Sequence, residues 1–293
     1  MADDAQLAAP ARLGLPQATS MVVGTIIGVG IFNLPGSLAG FGPIALVAMG
    51  PTTLGAVALA LMFASLARRM PADGGPYAYA RAAFGNLVGF TNAWLYWIPC
   101  WAGNAAIATG WVLYVERFIN TTHHPAATVA LTLAGLWGAA AINLMGVGAM
   151  GRIQLWTSVL KFVPLLAMAT IGLLFIDGAN FEVLNRSGMP PLQAVTGAMA
   201  LCLFSYIGVE AASVAAAKVR DPRRNVPRAT VLGTLAAAIV YVLSLVAVMG
   251  IVPAAELTTS TAPFATAAQS MAGQWAGTLM AALVVVSGFG ALN

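Results

Sequence analysis

The chain has 293 residues, of which 60% are hydrophobic and only 8% charged, with a formal net charge of +4. Soluble domains carry about 25% charged residues, so this composition excludes a water-soluble globular protein and points to an all-α integral membrane protein in a lipid bilayer. The small positive charge is sorted by membrane side, as shown below, and does not read as a nucleic-acid footprint.

Read in chain order, residues 1–16 form a polar N-terminal tail. They include Asp3, Asp4, Pro10 and Pro16 and have no continuous apolar core, so no cleavable signal peptide is visible. Eight apolar runs follow, over 17–41, 43–66, 86–118, 126–147, 153–176, 191–217, 229–252 and 273–293. Each is long enough for a span of ~20 residues. The first run is interrupted at Ile27-Gly28-Val29-Gly30 and is expected to restart at Pro35. Pro51 and Pro164 are expected to kink the second and fifth. Between spans two and three, residues 68–85 combine turn formers with Tyr77 and Tyr79, which predicts a short interfacial helix from Tyr77 to Phe84.

The sixth run is interrupted around Ser205–Glu210, where Ile207-Gly208-Val209-Glu210 looks like a copy of the first break. The segment 220–228 reads as a basic, turn-rich connection, and 253–272 as a polar external segment. The last run stops at Asn293 with no polar tail, which reads as a truncated chain.

The lysines and arginines set an orientation. With the N-terminus cytoplasmic, the inner side holds Arg12, Arg68, Arg69, Arg81, Arg152, Lys218, Arg220, Arg223, Arg224 and Arg228, and the outer side holds Arg117 and Arg186. Lys161 is left inside a span. It lies nine positions after Arg152, about 13 Å deep at ~1.5 Å per residue, near the midplane of a ~30 Å hydrocarbon core. A lysine there can serve as a fixed or titrating internal cation, so Lys161 is a coupling candidate. Glu210 is the one acid deep in a span, and reads either as a coupling or gating residue or as a structural glutamate whose hydrogen bonds fix the broken backbone.

An opened helix leaves N–H groups on one half and C=O groups on the other. The first attract an anion and the second a cation. A zwitterion of the amino-acid type fits between them, with its carboxylate near Val29–Ile31 and its ammonium near Ile27. Paired interrupted spans in two halves of a chain are the sequence mark of a transporter's substrate site. Cys100, Asn104 and Ile107 share one face of span three and are candidates for the pocket of a polar side chain. Phe204, just before the second break, reads as a gate or as core. Cys100 and Cys202 lie in apolar runs as free thiols. His123 and His124 read as a solvated loop pair and not as a metal site. No residue set calls for a metal or cofactor. With no Gly-x-Ser-x-Gly, no His-Glu-x-x-His and no histidine inside a span, an intramembrane enzyme has no base to work with. A non-transporting membrane sensor is the alternative of another class.

Five motifs carry a resemblance. They are Gly24-Thr-Ile-Ile-Gly-Val-Gly-Ile-Phe-Asn-Leu-Pro35, Gly74-Gly-Pro-Tyr-Ala-Tyr-Ala-Arg81, Tyr96-Trp-Ile-Pro-Cys-Trp-Ala-Gly-Asn104, Phe204-Ser-Tyr-Ile-Gly-Val-Glu-Ala-Ala-Ser213 and Asp221-Pro-Arg-Arg-Asn-Val-Pro227. In this order the chain resembles the amino acid–polyamine–organocation transporter superfamily, and within it the basic amino acid/polyamine antiporter group. The resemblance implies a leucine-transporter-type inverted-repeat fold with broken helices 1 and 6, with about eight of an expected twelve helices present. Residues 17–177 would be the first five-helix repeat and 191–293 the first three helices of the second. It implies that Ile27, Gly28, Val29, Gly30, Phe204, Ser205 and Ile207 meet the substrate's carboxylate and amino group, and that Cys100, Asn104 and Ile107 line its side-chain pocket.

Three positions depart from the arginine/agmatine pattern of that group. Val29 replaces a serine, Phe204 a tryptophan and Pro99 a small residue. Lys161 matches a lysine that some proton-coupled members carry. The expectation is therefore transport of a cationic amino acid or its amine across a cell inner membrane, by antiport or coupled to protons, with a neutral amino-acid proton symporter as the alternative. Family members occur as monomers and as dimers, so a homodimer is left open.

Overall fold

A computed structural model describes residues 13–144 and 147–292. The tail 1–12 with Arg12, the side chain of Arg152, and Asn293 lie outside the described residues. Two helices replace the first span: α1 (Leu15–Ile26), with Pro16 in its first turn, and α2 (Gly30–Ala39). They are separated by the non-helical Ile27, Gly28 and Val29. The restart falls at Gly30 and not at Pro35. Pro35 lies inside α2, at the cost of one helical hydrogen bond.

The chain continues through α3 (Ile44–Arg69), α4 (Pro76–Phe84), α5 (Asn86–Val115), α6 (Pro125–Leu144) and α7 (Val147–Thr170), which closes in a 3-10 turn over Ile171–Phe175. Pro51 and Pro164 sit within α3 and α7, which run on through them. The expected interfacial helix is α4. The second interrupted span consists of α8 (Pro191–Phe204), a turn over 205–210, and α9 (Ala211–Val214). α10 (Pro222–Ile251) begins seven residues before the expected boundary. Pro222 occupies its first turn, where a missing N–H costs nothing, so the stretch expected to be a turn-rich loop is helical.

α11 (Ala254–Leu257) and α12 (Pro263–Ala272) occupy the segment read as polar and external. α12 is amphipathic: Phe264, Ala265, Ala267 and Ala268 are buried, and the Phe264 ring meets Phe32 of α2 edge-on at 5.0 Å. Its polar residues masked that inner face in the sequence. α13 (Gln274–Leu292) ends the described chain.

Among the described residues, five segments are long and apolar enough to cross a membrane by length and composition alone: Leu15–Ala39, Ile44–Arg69, Pro125–Leu144, Pro222–Ile251 and Gln274–Leu292. That is fewer than the eight runs of the sequence. α5 has the length, with 30 residues, but its tryptophans, tyrosines and asparagines make it less apolar, and α8 is cut short by the second break. Large apolar side chains such as Leu54, Trp137, Leu174 and Leu192 face outward. This is a multi-pass membrane protein, and those faces meet lipid.

In lipid, helices gain nothing by hiding apolar surface from water, so close packing of small residues holds them together. α3 buries Thr52, Ala56, Ala60 and Ala64, one every four residues, and packs on α10. Gly233 of α10 lets the α1 backbone approach: a Cβ there would lie 2.8 Å from Val22. The start of α1 and the stretch that follows α9 are joined by backbone. Leu13 N donates to Lys218 O and Arg220 N to Leu13 O, each at 2.8 Å. Beside them, Gly74 N donates to Val214 O at 3.1 Å and seats α4 against α9.

The two breaks touch at Gly208. Its φ is +112°, and a Cβ there would lie 2.8 Å from Thr25 Cγ2 and 3.1 Å from Ile26 N. Gly208→Ala would therefore meet both backbone strain and a clash with α1. Gly273 also has a positive φ (+83°) but open space around it. Strain alone costs about 1–3 kcal/mol. Gly208→Ala is expected to lower the melting temperature in detergent by several degrees more than Gly273→Ala, and equal losses would show that the breaks are not in tight contact.

Candidate functional site

The interruption of α1 leaves carbonyls at its end without helical partners, and in lipid these must be satisfied from within the protein. Side chains from three other helices reach the broken span. Tyr241 of α10, fully buried, donates its hydroxyl to Ile26 O at 2.7 Å. Lys161 of α7, 1% exposed, donates Nζ to Gly24 O at 3.1 Å. Tyr114 of α5 donates to Phe32 O in α2 at 2.8 Å. The negative end of the α1 dipole thus faces the Lys161 ammonium, which is the favourable sign. Among the described residues no carboxylate lies within ion-pair distance of Lys161.

Between the two breaks lies a cavity of about 380 Å³. α1 and α2 contribute Gly28 and Gly30, α5 contributes Cys100, Asn104 and Ile107, and α7 contributes Lys161. The α8–α9 turn contributes Ser205, Ile207 and Glu210, with Phe204 at its edge. The structure therefore brings ten of the twelve candidate residues to one wall. The side chains of Ile27 and Val29 are elsewhere. Ile27 is fully buried in the helix core, and Val29, 1% exposed, packs with Trp111 and Ala108. Opening the backbone by only three residues turns both apolar side chains away from the cavity, so at these two positions only main-chain groups remain available.

Tyr96 is a wall residue that the sequence reading missed. Its hydroxyl donates to Glu210 Oε1 at 2.8 Å. The signal was present: Tyr96, Cys100 and Asn104 are spaced by four and so share one helical face. Cys100 Sγ bonds back to Tyr96 O at 3.2 Å, and Cys100 and Cys202 are both free thiols.

The polar and charged groups of this cavity are segregated. Glu210 and Tyr96 form one anionic corner, while Lys161 is held against the end of α1. At Gly30 the backbone comes so close to Phe204 that a Cβ would lie 3.4 Å from its ring. Beyond that ring is a second cavity of about 720 Å³, which shares Gly30, Ile107, Phe204 and Ser205. Among the described residues no charged side chain lines it. Phe204 is the partition between the two.

Away from the cavity, His123 is not simply solvated. Its Nδ1 pairs with Oε2 of the buried Glu116 at 2.6 Å, and Glu116 also accepts from Asn120 and Thr128. Among the described residues no group of three or more histidines, cysteines and acids could hold a metal ion.

This chain is similar in sequence to known proteins. The chain is 34% identical to a cadaverine/lysine antiporter of Escherichia coli (strain K12) over 272 residues, which is 92% of this chain and 61% of that protein. It is 32% identical to the putrescine transporter PotE of Haemophilus influenzae over 282 residues, covering 96% of this chain and 65% of that one. For the putrescine transporter PotE of Escherichia coli (strain K12) the figures are 32%, 96% and 64%. The chain thus spans a little under two thirds of the length of these relatives. The sequence model of the amino acid permease family matches residues 13–293 without interruption, and the chain belongs to that family.

Proposed function

We propose that this protein moves basic amino acids, their amines, or both across a cell inner membrane by alternating access, and that it is not an enzyme. The observation that carries the reading is the cavity between the two helix breaks, with the Glu210 carboxylate and the Tyr96 hydroxyl paired on its wall. A substrate ammonium placed there would take up the carboxylate's remaining acceptor capacity, and a charge-assisted hydrogen bond of that kind contributes about 1.5–3 kcal/mol. The face of Phe204 offers the same cation a second partner. The relatives' names, cadaverine/lysine antiporter and putrescine transporter, describe the same class of cargo.

An α-carboxylate, where the substrate has one, would meet the N-terminus of α2 at Gly30. The proposed contact set is Gly28, Gly30, Cys100, Asn104, Ile107, Phe204, Ser205, Ile207 and Glu210, with Lys161 assigned to coupling. Ile27 and Val29 would contribute through their backbone. In this reading residues 17–177 form one repeat and 191–293 part of a second, and the N-terminus faces the cytoplasm with ten basic residues on its side. The last two broken-helix ends, tied through Leu13 and Val219, would then move as a unit.

Lys161 supports coupling to protons. A buried ammonium whose only hydrogen bond among the described residues goes to Gly24 O can exchange its proton with little rearrangement, and losing that bond would release the inner half of the broken helix. A proton symporter for neutral amino acids would use the same lysine, so the substrate has to be settled at Glu210.

Three outcomes are expected of the full-length protein. Glu210→Gln weakens binding of lysine and cadaverine by about tenfold or more, read by a thermal-shift titration, and leaves neutral amino acids unaffected. A loss confined to neutral amino acids would favour the symporter. Lys161→Ala leaves binding in place and flattens the pH dependence of uptake into proteoliposomes, and an unchanged pH profile removes Lys161 from coupling. At Gly28, where an added Cβ meets nothing within 4 Å, Leu would project into the free space at the break. Gly28→Leu is expected to abolish binding while the protein still elutes as a folded species, and wild-type affinity would place the substrate elsewhere. Counterflow of radiolabelled lysine distinguishes a transporter from a sensor, which would show none.

A further inference from the structure

A third cavity, of about 740 Å³, opens where α3 ends and α10 begins. It is lined by Arg68, Arg69 and Arg228 and by Leu15, Leu61 and Leu232 with small neighbours. Among the described residues no aspartate or glutamate lines it. Among the described residues none of the three arginines forms an ion pair or donates a side-chain hydrogen bond. Three like charges gathered without a counter-ion repel one another, and an anion between them would relieve that repulsion.

The order of groups along the groove says which anion. Arg68 and Arg69 are in the last turn of α3. Leu61 is seven residues further into the same span, about 10 Å deeper at ~1.5 Å per residue. Leu232 is four residues further along α10 than Arg228, about 6 Å deeper. Leu61 and Leu232 are both about half exposed, at 54% and 50%. The groove is therefore cationic at the depth of the headgroups and apolar at the depth of the acyl chains. Inorganic phosphate would use only the mouth. A molecule with an anionic head and a hydrocarbon tail uses the whole length.

We propose that this groove is a binding site for an anionic phospholipid, with its phosphate held by Arg68, Arg69 and Arg228 and one acyl chain laid along Leu61 and Leu232. Basic pockets between spans on the cytoplasmic side are suited to such lipids. Leu15, the first residue of α1, forms part of the wall, so the lipid touches the inner half of the broken helix. The site does not depend on the identity of the transported substrate.

The test is native mass spectrometry of the detergent-purified full-length protein with added phosphatidylglycerol or phosphatidylcholine, alongside thermal-shift titrations with the same lipids and with inorganic phosphate. The wild type is expected to retain phosphatidylglycerol in preference to phosphatidylcholine. It is also expected to gain several degrees of melting temperature from phosphatidylglycerol and none from phosphate at the same concentration. Each arginine near the membrane surface contributes a factor of about five, so R68Q/R69Q/R228Q should bind on the order of a hundredfold more weakly. L61W/L232W keeps the three charges and fills the tail channel. It should also lose phosphatidylglycerol, and it supplies the test if the triple variant does not fold. Equal retention of the two lipids by the wild type, undiminished retention by the folded variants, or equal stabilisation by inorganic phosphate would each overturn the proposal.

Discussion

The contact on which the rest of the structure depends is the one between the two helix breaks, where Gly208 lies against the backbone of Thr25 and Ile26. Backbone N–H and C=O groups in hydrocarbon need partners from the protein, so a transmembrane helix can open only where other protein groups take over its lost bonds. Here the substitutes are specific. Tyr241 and Lys161 reach the end of α1, Tyr114 reaches α2, and the second break supports the first by direct packing. A bulkier residue at position 208 would push the breaks apart and widen the cavity they enclose.

From that contact follows the distribution of charge. Lys161 is buried beside the carbonyl end of α1, so the helix dipole stabilises it in place of a carboxylate. This leaves Glu210 free of an internal cation. It is restrained by the Tyr96 hydroxyl and presents its remaining acceptor capacity to the cavity. Among the described residues Lys161 and Glu210 form no ion pair, so one cavity holds a basic and an acidic side chain that do not neutralise each other. Phe204, against Gly30, lines both this space and the larger one, which no charged described residue lines.

Outside the cavity, two clusters of charge differ in their surroundings. Among the described residues the arginines at the meeting of α3 and α10 are gathered with no acid lining their groove, while Glu116 at the C-terminal end of α5 is enclosed by His123, Asn120 and Thr128.

Much of this was legible in the residues themselves. A low fraction of charge, long apolar runs and two glycine-centred interruptions determined a membrane-embedded helical chain with paired breaks, because lipid makes every exposed backbone group and every internal charge costly enough to stand out. Helical spacing placed Cys100, Asn104 and Ile107 on one face, and Tyr96 would have joined them had the same spacing been followed one turn back. What only the tertiary structure decided is the direction of side chains where regular spacing stops. Ile27 and Val29 sit within the break, where no helical period says which way they point, and packing against neighbouring helices turned them into the core. Helix ends were decided in the same way. Pro222 and Pro227 read as a loop until α10 extended through them, and the polar stretch ahead of α13 became a helix because Phe264 found Phe32, a residue more than two hundred positions away along the chain.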